Sequence, residues 1–561
     1  MESDKLLLIG IDGATWDRID PLIEQGKLEN LRSLRDGGAS GPLESTVIPN
    51  TPPAWISFLT GKNPGKTGIY DFIGRKEGTY DLKVCTSLDN EEPTIFSILS
   101  KAGRRVYSVN MPMTYPPEKI NGVLISGIPL PPGARDHCHP PEILSELEKE
   151  VGPYLVDIDY VKYGAQREGG ASELDGYEAL LAELYGALEL RQKAALHLLN
   201  KGQPGGPPDL FSVVYSIVDR VQHYFWKFID PDHSGYSEEG AERFGDTIDR
   251  AYEAVDRSIG ELLAALPDHQ VVVMSDHGFG PYYKDFHLNR WLIDKGYLVL
   301  KKVPRWDWRQ TNAGHMLGRV GMGGLAGSLP KAISECSILR PYRKRTVDRE
   351  DIVWSKTKAY AGILGICVNL AGREPEGIVK SGIEYDELTS RIMKDLEELR
   401  DEKTGRKLID ISDVKENRFH GPKTFMAADV YFIVAGLSYN TTTRLDVDHL
   451  FDDRTQFGMS GTHRMDGVFI VRSSGVKPGT RLESASIMDI SPTILYIMGH
   501  PVLRGMDGKV LEEIFETKVF GERPVRFLDE DLLRTAREES GYTDEEEEEI
   551  RDLLKGLGYL S

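Results

Sequence analysis

KLLLIGIDGAT, residues 5–15, contains a short unbroken apolar run, residues 6–11, followed by an acid and a glycine. Burial of every successive side chain suits a strand covered on both faces, as in a parallel sheet with helices above and below it. A helical stretch follows over Asp20–Arg35 and is closed by Gly37-Gly38. Further strand-like runs lie at Arg105–Val109, Gly122–Ser126, Leu210–Val218, Gln270–Ser275, Asp429–Ala435 and Gly467–Val471. Helical patterns fall between several of them, including Glu238–Leu266 and Ser491–Met498. Strands alternating with helices predict an α/β fold: a mostly parallel sheet with helices on both faces.

The chain has 561 residues, more than one simple core holds, so one large domain with insertions or two to four units is expected. Its 40% apolar and 28% charged residues are ordinary for a soluble globular protein. The formal net charge of -20 argues against a nucleic-acid polymer as partner, because phosphate backbones are held by basic stripes. A small phosphate ester remains compatible with that charge if bound cations supply local positive potential. Cys85, Cys138, Cys336 and Cys367 are widely spaced without a CxxC, so neither a disulfide framework nor a thiolate zinc site is expected. No window approaches the roughly 18 apolar residues of a membrane span, and MESDKLLLIGIDG does not read as a signal peptide. Cytoplasmic residence is the resulting expectation; oligomeric state is not legible.

Three regions interrupt the alternation. Residues 130–205 combine a Pro-rich opening with a long helical pattern, AELYGALELRQKAALHLLN. Residues 300–425 open with KKVPRWDWRQTNAGHMLGRVGMGGLAG and later show helical pattern at Glu384–Arg400. The closing GYTDEEEEEIRDLLKGLGYLS has acids at a helix start, where they suit the dipole, and reads as a helix docked on the body. The expected organisation is a core over 1–300 with a helical insertion at 130–205, an inserted cap-like module at 300–425, the rest of the core at 425–515, and a helical tail at 516–561.

Metal-ligand chemistry gathers at the ends of the apolar runs. Asp12 precedes Gly13, Asp219 and His223 stand in VYSIVDRVQHYFW, Asp276 and His277 in VVVMSDHGFG, and His463 in MSGTHRMDG. Open α/β sheets place their sites at the carboxyl ends of strands, where these residues fall. Asp219 and His223 share one helical face at i, i+4 spacing. His463 reads as a lone histidine in a Gly/Ser/Thr loop, and His287 and His315 compete with it; the His287 ring is a candidate for lining the substrate pocket. In IPNTPPAWISFLTG, Thr51 reads as the N-cap of a helix ending near Thr60-Gly61. The same position puts its hydroxyl at the positive end of a helix, where a phosphate would also be held. Singly, each residue has a structural explanation: a turn acid, a cap hydroxyl, a packed histidine. Together, three Asp, three His and one hydroxyl suit a site that holds two cations and a phosphate.

The ordered motifs IGIDG, NTPPAWISFLTGKNPGKTGIYDF, DRVQH, SDHGFG, GTHRMDGVFIV and MDISPTILYIMGHPVLRGMDGKVL resemble the alkaline phosphatase superfamily. The nearest branch is the type I phosphodiesterase/nucleotide pyrophosphatase group, and AGREPEGIV and the terminal LGYL resemble its predicted phosphohydrolase/phosphomutase members. The resemblance implies an alkaline phosphatase-like three-layer core with inserted cap-like segments. It implies that Asp219, His223 and His463 hold one divalent ion, and that Asp12, Asp276, His277 and the Thr51 oxygen hold another. Zinc is the usual ion of the family, with manganese as the alternative. It also implies hydrolysis of a small phosphate ester through a phospho-threonine intermediate on Thr51; spacing to Thr60-Gly61 favours Thr51 over Thr46.

One departure stands out. The nucleotide pyrophosphatases carry an Asn that contacts a phosphate oxygen, and the matching position here is Phe72 in IYDF. Asn50, Lys62 and Lys66 are the candidates for the missing donor, each also readable as a turn or surface residue. The alternatives to a hydrolase are a cofactor-independent phosphomutase or phosphotransferase, and a metal-stabilised binding protein without turnover. No C/S-x-P-x-R context supports a sulfatase.

Overall fold

The computed structural model describes residues 4–158, 173–200, 207–301, 347–401, 404–453, 458–529 and 542–556. His315, Cys336, the terminal LGYL and all of 301–327 except Lys301 lie outside the described residues.

The fold is mixed α/β around a ten-stranded sheet. Its strands are β1 (Leu6–Ile11), β2 (Ala39–Glu44), β3 (Val106–Met111), β4 (Gly122–Ser126), β5 (Cys138–His139), β6 (Leu210–Tyr215), β7 (Gln270–Met274), β8 (Asp466–Arg472), β9 (Thr480–Arg481) and β10 (Ala485–Ser486). The order is β9-β2-β8-β7-β1-β6-β3-β4-β5, with β10 also pairing with β2. The central strands β7, β1, β6, β3 and β4 run parallel, and β8 and β5 run antiparallel to their neighbours. β1 aligns Leu6 with Leu210 and Ile11 with Tyr215 on one side, and Leu6 with Gln270 on the other. Every residue of β1 and β6 is buried, as a sheet covered on both faces requires.

Two helical layers supply the cover. Successive strand residues face opposite ways. On one face a side chain at Gly10 would meet Trp55 at 2.6 Å and Val214 at 2.9 Å, so the absent Cβ lets helix α3 (Thr51–Thr60) lie directly on β1. On the other face Tyr215 donates its hydroxyl hydrogen to Gln192 of α4 (Glu173–Asn200). Helices α5 (Ile217–Phe225) and α6 (Thr247–Ala265) pack with α4. The helical pattern expected over Asp20–Arg35 divides into α1 (Trp16–Glu24) and α2 (Glu29–Asp36). Thr15 caps the first, and Gly26 at φ +74° turns the chain so that Lys27 N–H reaches Leu22 O. The pattern over Glu238–Leu266 likewise divides, into Glu238–Phe244 and α6.

A second apolar cluster lies apart from the central one and includes Leu388, Ile392, Leu396, Ile366, Val430 and Phe432. It is built on a four-stranded sheet ordered Ala359–Gly362, Gly365–Val368, Val430–Val434, Ile409–Val414, and on helix α7 (Ile383–Glu397). A boundary at 425 therefore falls inside this unit. The cause is that Val430–Val434 pairs with both Gly365–Val368 and Ile409–Val414, so it completes the sheet instead of starting the rest of the core. The same strand begins beside Asp429, a buried carboxylate that takes hydrogen bonds from Arg373, Lys415, Tyr385 and Val368 N–H.

The helix Asp544–Gly556 docks on the body through buried Ile550 and Leu554, and Tyr542 stacks on Tyr115. Among the described residues no helix is long and apolar enough to cross a membrane. Cys85, Cys138 and Cys367 are buried free thiols.

Candidate metal centre

The neighbouring parallel strands β7, β1 and β6 each end a few residues before an acid: Asp276, Asp12 and Asp219. Gly13 follows Asp12 at φ +69°, and a Cβ there would stand 3.1 Å from the Asp219 backbone. Glycine thus allows the three carboxylates to approach one another. Gly13 N–H donates to Asp276 Oδ1 at 3.2 Å, and its carbonyl accepts from Gln222 at 2.8 Å.

α5 carries Asp219 and His223 one turn apart on one face, as the spacing predicts. His463 is not in a loop: it lies on the strand Gly461–Arg464, which pairs antiparallel with Gly278–Pro281 and sets His463 opposite Phe279. The Gly/Ser/Thr-rich text around it hid a short ladder.

Thr51 is not the cap of α3 either. Asn50 is the N-cap, its side-chain oxygen accepting Thr51 N–H at 3.0 Å, and Thr51 is the first helical residue. Pro52 and Pro53 have no N–H, so Thr51 has the donor that the cap must satisfy. The Thr51 hydroxyl, not used as the cap, lies 3.4 Å from His277 Nε2.

The convergence holds two adjoining groups, joined where the His277 and His463 rings stack at 3.7 Å and where Asp219, His277 and His463 each bring a ligand atom within 4.8 Å of the others. In one, His223 Nε2 and His463 Nε2 are 3.2 Å apart, and each is 3.5 Å from Asp219 Oδ1. In the other, His277 Nε2 lies 3.2 Å from Asp276 Oδ2, 3.8 Å from Asp12 Oδ1 and 3.4 Å from Thr51 Oγ1. All seven sequence-derived residues therefore meet in one place. His287 does not: it lies apart, against Thr442 and His449.

The donor set fits divalent cations. His223, His277 and His463 each direct Nδ1 at a backbone carbonyl, of Gly461, Gly278 and Pro49. A carbonyl only accepts, so Nδ1 carries a proton and Nε2 is the atom left to meet a cation. Asp12 Oδ1, Asp219 Oδ1 and Asp276 Oδ2 are buried and make no hydrogen bond. A tetrahedral ion with bonds of about 2.0–2.1 Å sets its ligands roughly 3.4 Å apart, close to the spacing in both subsites.

Electrostatics agree with this reading. Burial, then the Asp276 and Asp219 carboxylates, push Asp12 well above the usual range. Burial, then Asp219, push Asp276 up to about 8. Burial opposes ionisation of Asp219 as well, and the buried Arg220 guanidinium 2.8 Å away lowers it. Burial lowers His223 to about 4 and also holds His277 well below its usual value, so both rings stay neutral. Crowded carboxylates beside neutral imidazoles are relieved by positive charge between them.

A cavity of about 240 Å³ opens beside the cluster, with Asn50, Asp71, His223 and His463 on one wall and residues of the antiparallel unit, among them Gly362–Gly365 and Phe432, on the other. His287 is not among its lining residues, because its ring is turned toward Thr442. Of the three candidate donors, Asn50 lies at the cavity. Lys62 is instead buried in an ion pair with Glu92, and Lys66 pairs with Asp507. Phe72 is buried.

Sequence reasoning missed several supporting residues. Arg220 is almost wholly buried and bridges Asp219 and Asp157 at 2.8 and 2.9 Å. An arginine next to Asp219 among the apolar residues Ile217, Val218, Val221 and Phe225 is the signal that was available. Asn50 donates to Asp71 at 2.9 Å, which fixes the amide that caps Thr51. Nothing local announces that contact.

The family model for type I phosphodiesterase / nucleotide pyrophosphatase matches residues 6–461. No curated protein sequence matches the chain. Among solved structures, human ectonucleotide pyrophosphatase / phosphodiesterase 5 is similar, with 12% identity over 91% of this chain and 100% of its own, at a TM-score of 0.46. Phosphonoacetate hydrolase from Sinorhizobium meliloti 1021, in complex with phosphonoformate, matches with 15% identity over 88% of this chain and 95% of its own, also at 0.46.

Proposed function

The chain belongs to the type I phosphodiesterase/nucleotide pyrophosphatase family of the alkaline phosphatase superfamily, and from that premise we propose that it hydrolyses small phosphodiester or pyrophosphate esters through a phospho-threonine on Thr51. Asp219, His223 and His463 would hold one divalent ion. Asp12, Asp276 and His277 would hold a second beside the Thr51 oxygen. Zinc suits this mixed His/Asp set, and manganese is the alternative. Such ions, when bound, supply charge for the phosphate oxygens and ease deprotonation of a hydroxyl or water.

The protein's own contribution is position. Thr51 Oγ attacks phosphorus, the bond to the leaving oxygen breaks on the opposite side, and water then cleaves the threonyl phosphate. The first turn of α3 is poorly supplied with backbone donors for a phosphate, since Thr51 N–H goes to Asn50 and the two prolines have none. Charge stabilisation therefore falls on the cations, with the Asn50 amide as the polar donor in place of the family Asn. The second wall of the cavity, from the antiparallel unit, would select the leaving group.

The observation that carries this reading is the gathering of three histidines and three buried carboxylates, each with an oxygen that makes no hydrogen bond, with the Thr51 hydroxyl 3.4 Å from one of the rings. The test is turnover of bis-p-nitrophenyl phosphate and p-nitrophenyl phosphate by zinc- or manganese-loaded protein, stopped by chelator. Thr51→Ala should retain its ions and lose turnover, and mass spectrometry of quenched wild type should find phosphate on the peptide containing Thr51. Wild-type rates in Thr51→Ala would remove the covalent step. Phosphoryl transfer between sugar or glycerate phosphates with little free phosphate would instead indicate a mutase, and bound ions without any turnover a binding protein.

A further inference from the structure

His287 ends the strand Lys284–His287, which lies between Tyr439–Thr442 on one side and Phe451–Asp452 on the other. Its ring is fully buried. Nδ1 lies 2.8 Å from Thr442 Oγ1, whereas Nε2 is buried and makes no hydrogen bond. The two faces of one imidazole are thus unequal: one is anchored, and the other points into a space shared with His449 and Asp452.

Those two residues complete the arrangement. His449 Nε2 is 3.7 Å from Asp452 Oδ2, and its Nδ1 is 3.2 Å from Asp448 Oδ1. The His287 and His449 rings stand 5.2 Å apart, nearly perpendicular. One ligand atom from each of His287, His449 and Asp452 falls within 4.8 Å of the others. A carboxylate or hydroxyl behind each Nδ1, with Nε2 turned inward, is the orientation that metal-binding histidines need. Arg444, the nearby cation, is engaged with Asp446 through both arms at 3.1 Å.

We propose that His287, His449 and Asp452 form a further divalent-metal site, of zinc class and separate from the centre at Thr51. Two imidazoles and a carboxylate suit a borderline ion such as zinc, nickel or cobalt(II) better than calcium or magnesium, which prefer all-oxygen shells. The His449 and Asp452 side chains are 50% and 32% exposed, which leaves water for the remaining coordination position. Binding there joins the chain around 443–450 to the strand that ends at His287. That chain begins at Thr443, whose neighbour Thr441 also lines the cavity, and Asn289 already holds Thr443 O at 2.6 Å. The ion would therefore brace one wall of the cavity without touching the reacting phosphate.

Ion counting on the full chain tests this. Protein stripped with chelator is titrated with cobalt(II) or zinc, and bound ions per chain are counted by elemental mass spectrometry. His449→Ala and Asp452→Asn change partly exposed side chains, and unchanged melting in chelator shows that the fold is intact. Each variant should bind one ion fewer than wild type, and cobalt-loaded protein should lose one visible absorption component. Asp12→Asn, at the other centre, should leave that component in place. The difference between wild type and His449→Ala is read independently of how many ions the Thr51 centre takes. Equal counts in wild type and either variant would overturn the site.

Discussion

His223 and His463 face each other with Nε2 atoms 3.2 Å apart, while each ring turns Nδ1 to a backbone carbonyl. Two lone pairs at that distance repel unless a proton or a cation sits between them. Burial disfavours the proton at His223, which it lowers to about 4. A cation shared with Asp219 Oδ1 would resolve the conflict. His223→Gln and His463→Gln should each lower the affinity of this subsite, with kcat falling by about 10²–10³, the usual cost of losing a charge stabiliser. Metal titration followed by initial rates checks it. Full occupancy with a wild-type rate in both variants would remove the pair from the centre.

The carboxylates give the metal-free protein a pH dependence of definite sign. Asp276 is pushed up from 3.8 to about 8, first by burial and then by Asp219. Between those values the unfolded chain loses this proton and the folded chain keeps it. Stability from this group is thus complete below about 4 and declines as pH rises toward 8, by up to about 1.4 kcal/mol per pH unit. Stripped protein should melt at falling temperature from pH 5 to 8, and zinc should flatten the trend by displacing the proton. Asp276→Asn should flatten it without zinc. A stripped Asp276→Asn protein with the wild-type slope would assign the effect elsewhere.

The parts legible from sequence are those in which chemistry and local pattern coincide. KLLLIGI predicts β1 because its apolar part, Leu6–Ile11, is an unbroken run that ends up buried throughout, and Asp12 follows from the strand's end. Asp219 and His223 are legible because four residues is one helical turn. The text around Thr51 predicts a helix start there, but only the cap geometry shows that two prolines transfer the capping to Asn50. His463 was read as loop because its ladder depends on Gly278–Pro281, nearly two hundred residues earlier. Arg220–Asp157, Asn50–Asp71 and the Asp429 network are long-range pairings that no spacing rule reports. The cap boundary failed for the same reason, as a sheet's membership is set by pairing and not by position along the chain.

Asp429 should prove the main polar anchor of the antiparallel unit. It takes both arms of Arg373 at 2.7 and 2.6 Å, Lys415 at 2.7 Å and Tyr385 at 2.9 Å, all in a buried setting. Burial resists its ionisation, yet these donors hold it down to about 2. Asp429→Ala removes the carboxylate that Lys415 and Arg373 share and leaves Arg373 with Glu374 alone, a change that costs about 3–5 kcal/mol. Denaturant unfolding should register that loss, and ion binding at the Thr51 centre should persist under native conditions. A loss below about 1 kcal/mol would mean that the unit stands on its apolar contacts alone.

Asp71 connects pH to substrate binding. Its carboxyl is buried beside the cavity, and burial raises it to about 7 despite hydrogen bonds from Phe72 N–H and Asn50. Below that value Asp71 is neutral; above it Asp71 adds a negative charge, unfavourable to an anionic ester, to a lining that also holds Arg349. At roughly 10 Å and an effective dielectric near 20, one like charge costs about 1.5 kcal/mol, or roughly tenfold in KM. KM for a phosphodiester should therefore rise between pH 6 and 8 while kcat changes less. Asp71→Asn retains an acceptor for Phe72 N–H and cannot ionise, so its KM should stay at the low-pH level throughout. A KM profile of wild-type shape in that variant would trace the titration to another group and leave Asp71 as a support for Asn50 alone.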